Sequence, residues 1–247
     1  MTQDTRSDAL PDVIDEIARS HARFAATATA LTGADLRGPS ALPGWTRGHV
    51  IAHVARGADA YTWLLALART GVEPRPRDTA ESLARAVESG AARPAAELVA
   101  DLRTSLNRLL ADSEAMPATA WDTLVTALPG YRHPAWFTLY RCWRELETHH
   151  VDLDADYGTA NWPHTYVTWA LDGTLAALSE RDFPVSRVRA IDLGRSWNLS
   201  QNGPTVSADG HTLLGWLSGR TTDTALAADG PVPQPPAWPL PPTPAWS

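Results

Sequence analysis

Cysteine is almost absent from this sequence of 247 residues, in which Cys142 is the single example. One cysteine cannot form an internal disulfide, and it cannot supply the cysteine-rich ligand set of a structural zinc site. No run approaches the roughly 18 apolar residues of a membrane-spanning helix, and the segment MTQDTRSDALPDVIDEIARS has no apolar signal-peptide core. The sequence therefore predicts a cytoplasmic protein without a membrane partner.

Basic residues are also few in this sequence. Asp and Glu number 28 against 21 Lys and Arg, giving a net charge of −7, and no basic cluster offsets it. This balance argues against a nucleic-acid or anionic-membrane surface. The hydrophobic share of 44% and the charged share of 20% are typical of a globular protein with a substantial core. We expect small-molecule partners and a monomer or homodimer.

Four long amphipathic helices are predicted in the first 160 residues. Leu98, Leu102, Leu106 and Leu109, for example, recur at the spacing of one helix face. Thr46 is a suitable N-cap for the second long helix. Long helices with modest connections are typical of a four-helix bundle, which we assign to residues 1–160. The four predicted ranges are about 9–32, 46–71, 94–114 and 134–154.

The pattern changes near residue 160. A helix at about 163–181 is followed by short β-prone pieces (VRAIDL, SWNLS, TVSA) and a helix at 211–219. This mixture predicts a small α/β domain over 161–247, and an α+β fold overall. The tail from residue 231 is rich in proline and contains Trp238 and Trp246. The tail either packs as a strap or serves as a proline-rich ligand for a partner.

Two histidine-bearing patterns are candidates for metal chemistry. His49 and His53 stand four residues apart on the second long helix, and Glu145 and His149 do so on the fourth. Residues four apart project from the same helix face, so each pair can reach one ion. Two ligands from one helix and one from a facing helix would leave a fourth zinc position open, as in catalytic sites. Asp152 is placed to hold a ligand imidazole.

Spacing alone leaves other interpretations open. Glu followed by a basic residue at i+4 is a common surface pair, and a single histidine is often only packed. His49 is either a further ligand of the same metal or a residue that helps the helix to start. His150 faces away from His149, and we expect Cys142 to be an inert buried thiol.

Three segments resemble a known family. GWTRGHVIAHVARGADAYTWLL and RCWRELETHHVDLDADYG are similar to the signature helices of the mycothiol-dependent maleylpyruvate isomerase family, in the DinB-like metalloenzyme superfamily. LSGRTTDTALAADGPVPQPPAW resembles the closing segment of that family. The resemblance implies a DinB-like four-helix bundle followed by a small α/β domain. It also implies a zinc ion bound by His53, Glu145 and His149, with mycothiol as the thiol cosubstrate.

The residues expected to bind the acceptor substrate match the family less well than the metal ligands do. The resemblance implies two arginines that bind anionic groups, and Arg220 matches the one in the closing segment. Leu83 stands where the other is expected, with Arg85 two positions later and Arg77 upstream. A leucine cannot hold a carboxylate as a guanidinium does. The predicted cosubstrate-binding and catalytic residues are thus Arg220, Arg85 and Asp152.

The departure at Leu83 favours a broad interpretation, a zinc enzyme that transfers the thiol of mycothiol to a small electrophile. The alternative is the isomerase itself, which converts maleylpyruvate to fumarylpyruvate and regenerates the thiol. A non-catalytic module that binds a small ligand or a partner is a further alternative. A metal hydrolase is disfavoured, because Glu145 as a ligand leaves no obvious general base in the motif.

Overall fold

A computed structural model of the chain describes residues 9–241. The chain divides into two compact units, with the boundary between Asp156 and Tyr157. The first unit is mainly helical, and the second combines helices with a mixed sheet. The predicted α+β class is confirmed. Within the described range, no helix has both the length and the apolarity that crossing a membrane requires.

Four long helices enclose the core of the first unit. Helices α1 and α3 each pack against both α5 and α6, which is the arrangement of a four-helix bundle. Side chains that are almost fully buried fill the centre, among them Ile17, Phe24, Ile51, Leu102 and Leu146. The elements are α1 (Leu10–Ala30), α2 (Gly33–Arg37), α3 (Arg47–Thr70), α4 (Ala80–Ala91), α5 (Ala95–Glu114), β1 (Leu124–Thr126), β2 (Arg132–Pro134) and α6 (Phe137–Asp152).

Helix α3 has a well-defined start and end. The Thr46 side chain accepts a hydrogen bond from the backbone N–H of His49, and the His49 ring accepts one from the backbone N–H of Thr46. This reciprocal capping satisfies two amide donors at the start of the helix. Gly71 ends the helix in a left-handed conformation (φ 71°), with its N–H donated to the Leu67 carbonyl. The predicted N-cap at Thr46 is confirmed.

Helix α6 begins at Phe137, later than the predicted start at 134. The difference arises because Arg132–Pro134 form strand β2, which pairs antiparallel with β1. The predicted helix start at residue 134 therefore falls on the last residue of β2.

A partly buried ion pair joins α1 to α6. The carboxylate of Glu147, 1% exposed, accepts hydrogen bonds from Ser20 and from the Arg23 guanidinium, the latter at 2.7 Å. Replacing Arg23 takes the guanidinium partner away from this buried carboxylate, and breaking a buried charge pair costs about 3–5 kcal/mol. Because Arg23 is 36% exposed and water can reach the gap, we expect Arg23→Ala to lower the free energy of unfolding by about 3 kcal/mol.

Chemical denaturation of Arg23→Ala beside Arg19→Ala measures this cost. Arg19 lies on the same helix and pairs with Glu16 at the surface, so its replacement should leave stability nearly unchanged. Equal stabilities of the two variants would contradict a stabilising role for the Arg23–Glu147 pair.

The second unit contains a four-stranded sheet in the order β4-β3-β5-β6. Strand β3 pairs antiparallel with β4 and parallel with β5, and β6 pairs antiparallel with β5. Helices α7 and α8 pack against each other. The elements are α7 (His164–Ser179), β3 (Arg187–Ala190), β4 (Arg195–Asn198), β5 (Thr205–Ala208), α8 (Gly210–Leu217) and β6 (Ala227–Ala228).

Part of the proline-rich tail packs within the second unit. The Trp238 indole N–H donates to the Thr174 hydroxyl on α7 (3.2 Å), and the Arg220 guanidinium lies 5.7 Å from the Trp238 ring centroid. Arg181 donates to the carbonyl of Pro241. Of the two alternatives for the tail, these contacts agree with the strap. Trp246 lies outside the described residues.

Candidate metal centre

Three potential ligands converge between α3 and α6. One carboxylate oxygen of Glu145, Oε2, lies 3.2 Å from Nε2 of His53 and 3.1 Å from Nε2 of His149. The two imidazole rings meet edge to face at 4.7 Å. The candidate ligand atoms all lie within 4.8 Å of one another. The structure therefore brings together the three residues that the sequence predicted as metal ligands.

The secondary structure explains this convergence. Glu145 and His149 are four residues apart on α6, so both project from the face that packs against α3. His53 lies one turn after His49 on α3, and the indole of Trp45 packs 5.3 Å from its ring. His49 is engaged in the helix cap and contacts Glu88 at 3.1 Å. His49 is thus a capping residue and does not join the cluster.

Asp152 binds the ring nitrogen of His149 that points away from Glu145. Its carboxylate, almost fully buried, accepts a hydrogen bond from Nδ1 of His149 at 2.9 Å. Burial opposes charge on His149, but the hydrogen bonds to Asp152 and Glu145 outweigh it and raise its pKa to about 9. The two carboxylates therefore favour the protonated form of this imidazole.

The same contacts determine the charge of Glu145. Burial would raise the pKa of this carboxyl, but hydrogen bonds from His149 and His53 hold it well below its usual range. A partly buried, ionised carboxylate with two imidazoles around one of its oxygens is an environment that favours a cation.

Two neighbours on α6 take no part in the cluster. Burial raises the pKa of the Cys142 thiol, so it remains protonated and unreactive, as the sequence predicted. His150 is buried on another face and forms a 2.8 Å hydrogen bond with the Thr27 hydroxyl. Both therefore belong to the packed core of the bundle.

A small cavity with several arginines lies in the same unit. It has a volume of about 50 Å³, and its lining includes Arg75, Arg77, Arg141 and Leu83 as well as Asp78, which pairs with Arg75 at 2.7 Å. Arg141 stands one turn before Glu145 on α6, with its guanidinium 4.9 Å from the Tyr61 ring centroid. It donates a 3.1 Å hydrogen bond to Nε2 of His133. Leu83 thus shares the cavity with three guanidinium groups.

The predicted arginines have different positions. Arg85 is exposed on α4 and is not among the residues that line this cavity, whereas Arg77 is. Arg220 belongs to the second unit, where it donates to the Ser218 carbonyl at 2.6 Å. Sequence reasoning missed Arg141, although its spacing of four residues before Glu145 would have placed it on the same face of α6.

Comparison with known proteins gives a consistent family assignment. The sequence profile of the mycothiol maleylpyruvate isomerase N-terminal domain matches residues 17–154. A crystal structure of the mycothiol-dependent maleylpyruvate isomerase is similar at a TM-score of 0.82 and 25% identity, covering 93% of this chain and 97% of that one. A mutant form of that enzyme gives the same TM-score and coverage at 24% identity. No curated protein matches in sequence. The chain belongs to the mycothiol maleylpyruvate isomerase family, as its profile match over more than half of its length shows.

Proposed function

We propose that this protein is a zinc- and mycothiol-dependent enzyme that isomerises maleylpyruvate to fumarylpyruvate. The observation that carries the proposal is the convergence of His53, Glu145 and His149 in a chain of this family. The likeness of nearly the whole chain to a solved maleylpyruvate isomerase supports the isomerase over the broader thiol transfer that the sequence favoured.

The donor set fits zinc. Two imidazole nitrogens and one carboxylate oxygen are ordinary zinc ligands, and a set of three leaves a position for a further ligand. The hydrogen bond from Nδ1 of His149 to Asp152 leaves Nε2 as the nitrogen that faces Glu145 and His53. A zinc ion in this place would lower the pKa of a bound thiol and so supply thiolate at neutral pH.

The reaction itself is a redox-neutral addition and elimination. The thiolate sulfur attacks one carbon of the cis double bond, forming a C–S bond and moving the π electrons toward the conjugated carbonyl. Rotation then occurs about the bond that has become single. The electrons return, the C–S bond breaks, and the trans product leaves with the thiolate regenerated.

Arginines of the first unit are suited to hold the acceptor. A carboxylate substrate needs guanidinium partners, and Arg77 and Arg141 line the cavity in which Leu83 stands. The mismatch at Leu83 therefore does not remove positive charge from this region. We propose Arg77 and Arg141 as acceptor-binding residues of the first unit. Binding roles for Arg85 and Arg220 stay predictions.

The decisive measurement is product formation from maleylpyruvate with mycothiol below the substrate concentration. Many turnovers per thiol, with fumarylpyruvate as product and free thiol unchanged, would establish the isomerase. Consumption of one thiol per product, with a mass-detected adduct, would instead identify a transferase. Absence of both would leave a binding module and overturn the proposed enzyme.

Asp152 provides a test of the ligand geometry. An asparagine at this position cannot act as an anionic acceptor for Nδ1–H, so Asp152→Asn should weaken zinc binding by about 10–100-fold. The matched control is Asp154→Asn, two residues later, where the side chain is exposed and the left-handed backbone (φ 52°) tolerates asparagine. Zinc competition titration compares the two variants, and equal affinities would contradict the role of Asp152.

A further inference from the structure

A second cluster of metal-ligand side chains lies in the second unit, far along the sequence from the first. His164 opens α7, Asp192 lies in the turn between β3 and β4, and His211 is in the first turn of α8. One ligand atom from each lies within 4.8 Å of the others. We propose that His164, Asp192 and His211 form a second zinc site.

The hydrogen bonding of His211 fixes its tautomer. Its Nε2 lies 2.9 Å from the carbonyl oxygen of Trp162. A carbonyl only accepts, so Nε2 carries the proton and the lone pair of a neutral ring is on Nδ1. An imidazole whose second nitrogen donates to a backbone carbonyl is the usual state of a metal-bound histidine. His211 therefore has a lone pair on Nδ1 that it can offer to a metal.

Asp192 is held close to His211 by the backbone. Its Oδ1 accepts a 2.7 Å hydrogen bond from the N–H of Gly210, the residue immediately before His211. This contact joins the β3–β4 turn to the start of α8 and orients the carboxylate. One oxygen can keep that bond while the other serves a metal, because a carboxylate has about four acceptor positions.

His164 completes the set from α7. Its ring meets the His211 ring edge to face, with centroids 4.8 Å apart. Pro163, immediately before it, has φ −59° and fixes the backbone where the helix begins. The three ligands thus come from three elements whose positions are set by the fold of this unit.

The ligand chemistry selects the metal class. Two imidazoles and one carboxylate suit zinc and related transition metals, whereas magnesium and calcium prefer oxygen ligands alone. His164 and Asp192 are exposed, so water can fill the remaining position and compete for the ligands. We expect weaker binding here than at the first cluster, whose three ligands are less exposed.

The test counts zinc ions bound to the full-length chain. Equilibrium dialysis over a range of free zinc, followed by elemental analysis, should give one zinc fewer per chain for His164→Ala and for His211→Ala than for wild type. Glu180→Gln is the matched control, since it removes an exposed carboxyl group from the same unit and should retain the wild-type count. Circular dichroism verifies that each variant is folded.

A second pair of variants separates this site from the first. In His149→Ala, where the first cluster is incomplete, the remaining zinc should disappear when His164→Ala is added. The visible absorption of cobalt(II), bound in place of zinc, measures the same loss of a metal site independently. Equal metal binding by wild type, His164→Ala and His211→Ala at every zinc concentration would overturn the second site and leave the first unaffected.

Discussion

His149→Ala is expected to reduce maleylpyruvate turnover by more than about 100-fold, because it removes a ligand outright, whereas losing only the partner of a ligand costs about 10–100-fold. It also leaves the Glu145 carboxylate with His53 as its one remaining imidazole partner in the cluster. Zinc content should fall by one ion per chain at saturating metal. Steady-state kinetics with matched elemental analysis measures both effects.

His49→Gln is the matched control for this prediction. His49 stands one turn before His53 and caps α3, and glutamine at the same capping position retains an acceptor for the Thr46 N–H. Zinc content and turnover should therefore stay near wild type. A loss in His49→Gln equal to that in His149→Ala would show that the assigned ligand set is wrong.

Acid should destabilise the first unit through buried neutral histidines. Burial lowers the pKa of His133 to about 4, with the positive charge of Arg141 contributing, and burial likewise lowers that of His150 to about 4. An unfolded histidine has a pKa of about 6.5, so between pH 6.5 and 4 the unfolded chain binds the additional proton. Stability is therefore lost as the pH falls through this window, by about 1 kcal/mol per pH unit for each histidine.

Denaturant unfolding at several pH values, in the presence of a metal chelator, measures this slope. In His133→Gln the free energy of unfolding should change less steeply with pH, by the contribution of one titrating group. Glutamine can still accept the hydrogen bond from Arg141, but it does not bind the proton. Thr104→Ala, which replaces an exposed residue of the same unit that does not titrate, should keep the wild-type slope. Parallel slopes in all three proteins would contradict the assignment to His133.

Local signals predicted much of the bundle. Capping at Thr46 and the leucine spacing along α5 are encoded within a few neighbouring residues, so helix positions followed from the sequence. The start of α6 did not, because strand β2 forms only through pairing with β1. Pairing of this kind depends on tertiary contacts that helix periodicity does not record.

The candidate site also combines features that the local sequence predicts with features that depend on tertiary contacts. Spacing placed Glu145 and His149 on one face of α6, but their meeting with His53 depends on how α3 packs against α6. Family resemblance supplied that pairing, and the ligand role itself stays a prediction. The contacts of Arg141 with Tyr61 and His133 were not predictable, since they join three separate elements.

The second cluster was missed for a related reason. His164, Asp192 and His211 stand at irregular intervals on two helices and a turn, so no motif connects them. Their proximity follows from the pairing of β3 with β4 and the packing of α7 on α8. Only the folded unit brings them together.

The ion pair between Arg23 and Glu147 has a consequence for the orientation of α6. Successive residues of a helix differ by about 100° around its axis, so Glu147 and Glu145 point in widely different directions. Glu147 is bound on the side of α1, while Glu145 faces His53 on α3. A rotation of α6 that moved Glu145 away from His53 would also move the buried Glu147 carboxylate away from Arg23. The rotational register of this one helix is thus fixed from two sides, and with it the direction in which Glu145 and His149 present their ligand atoms.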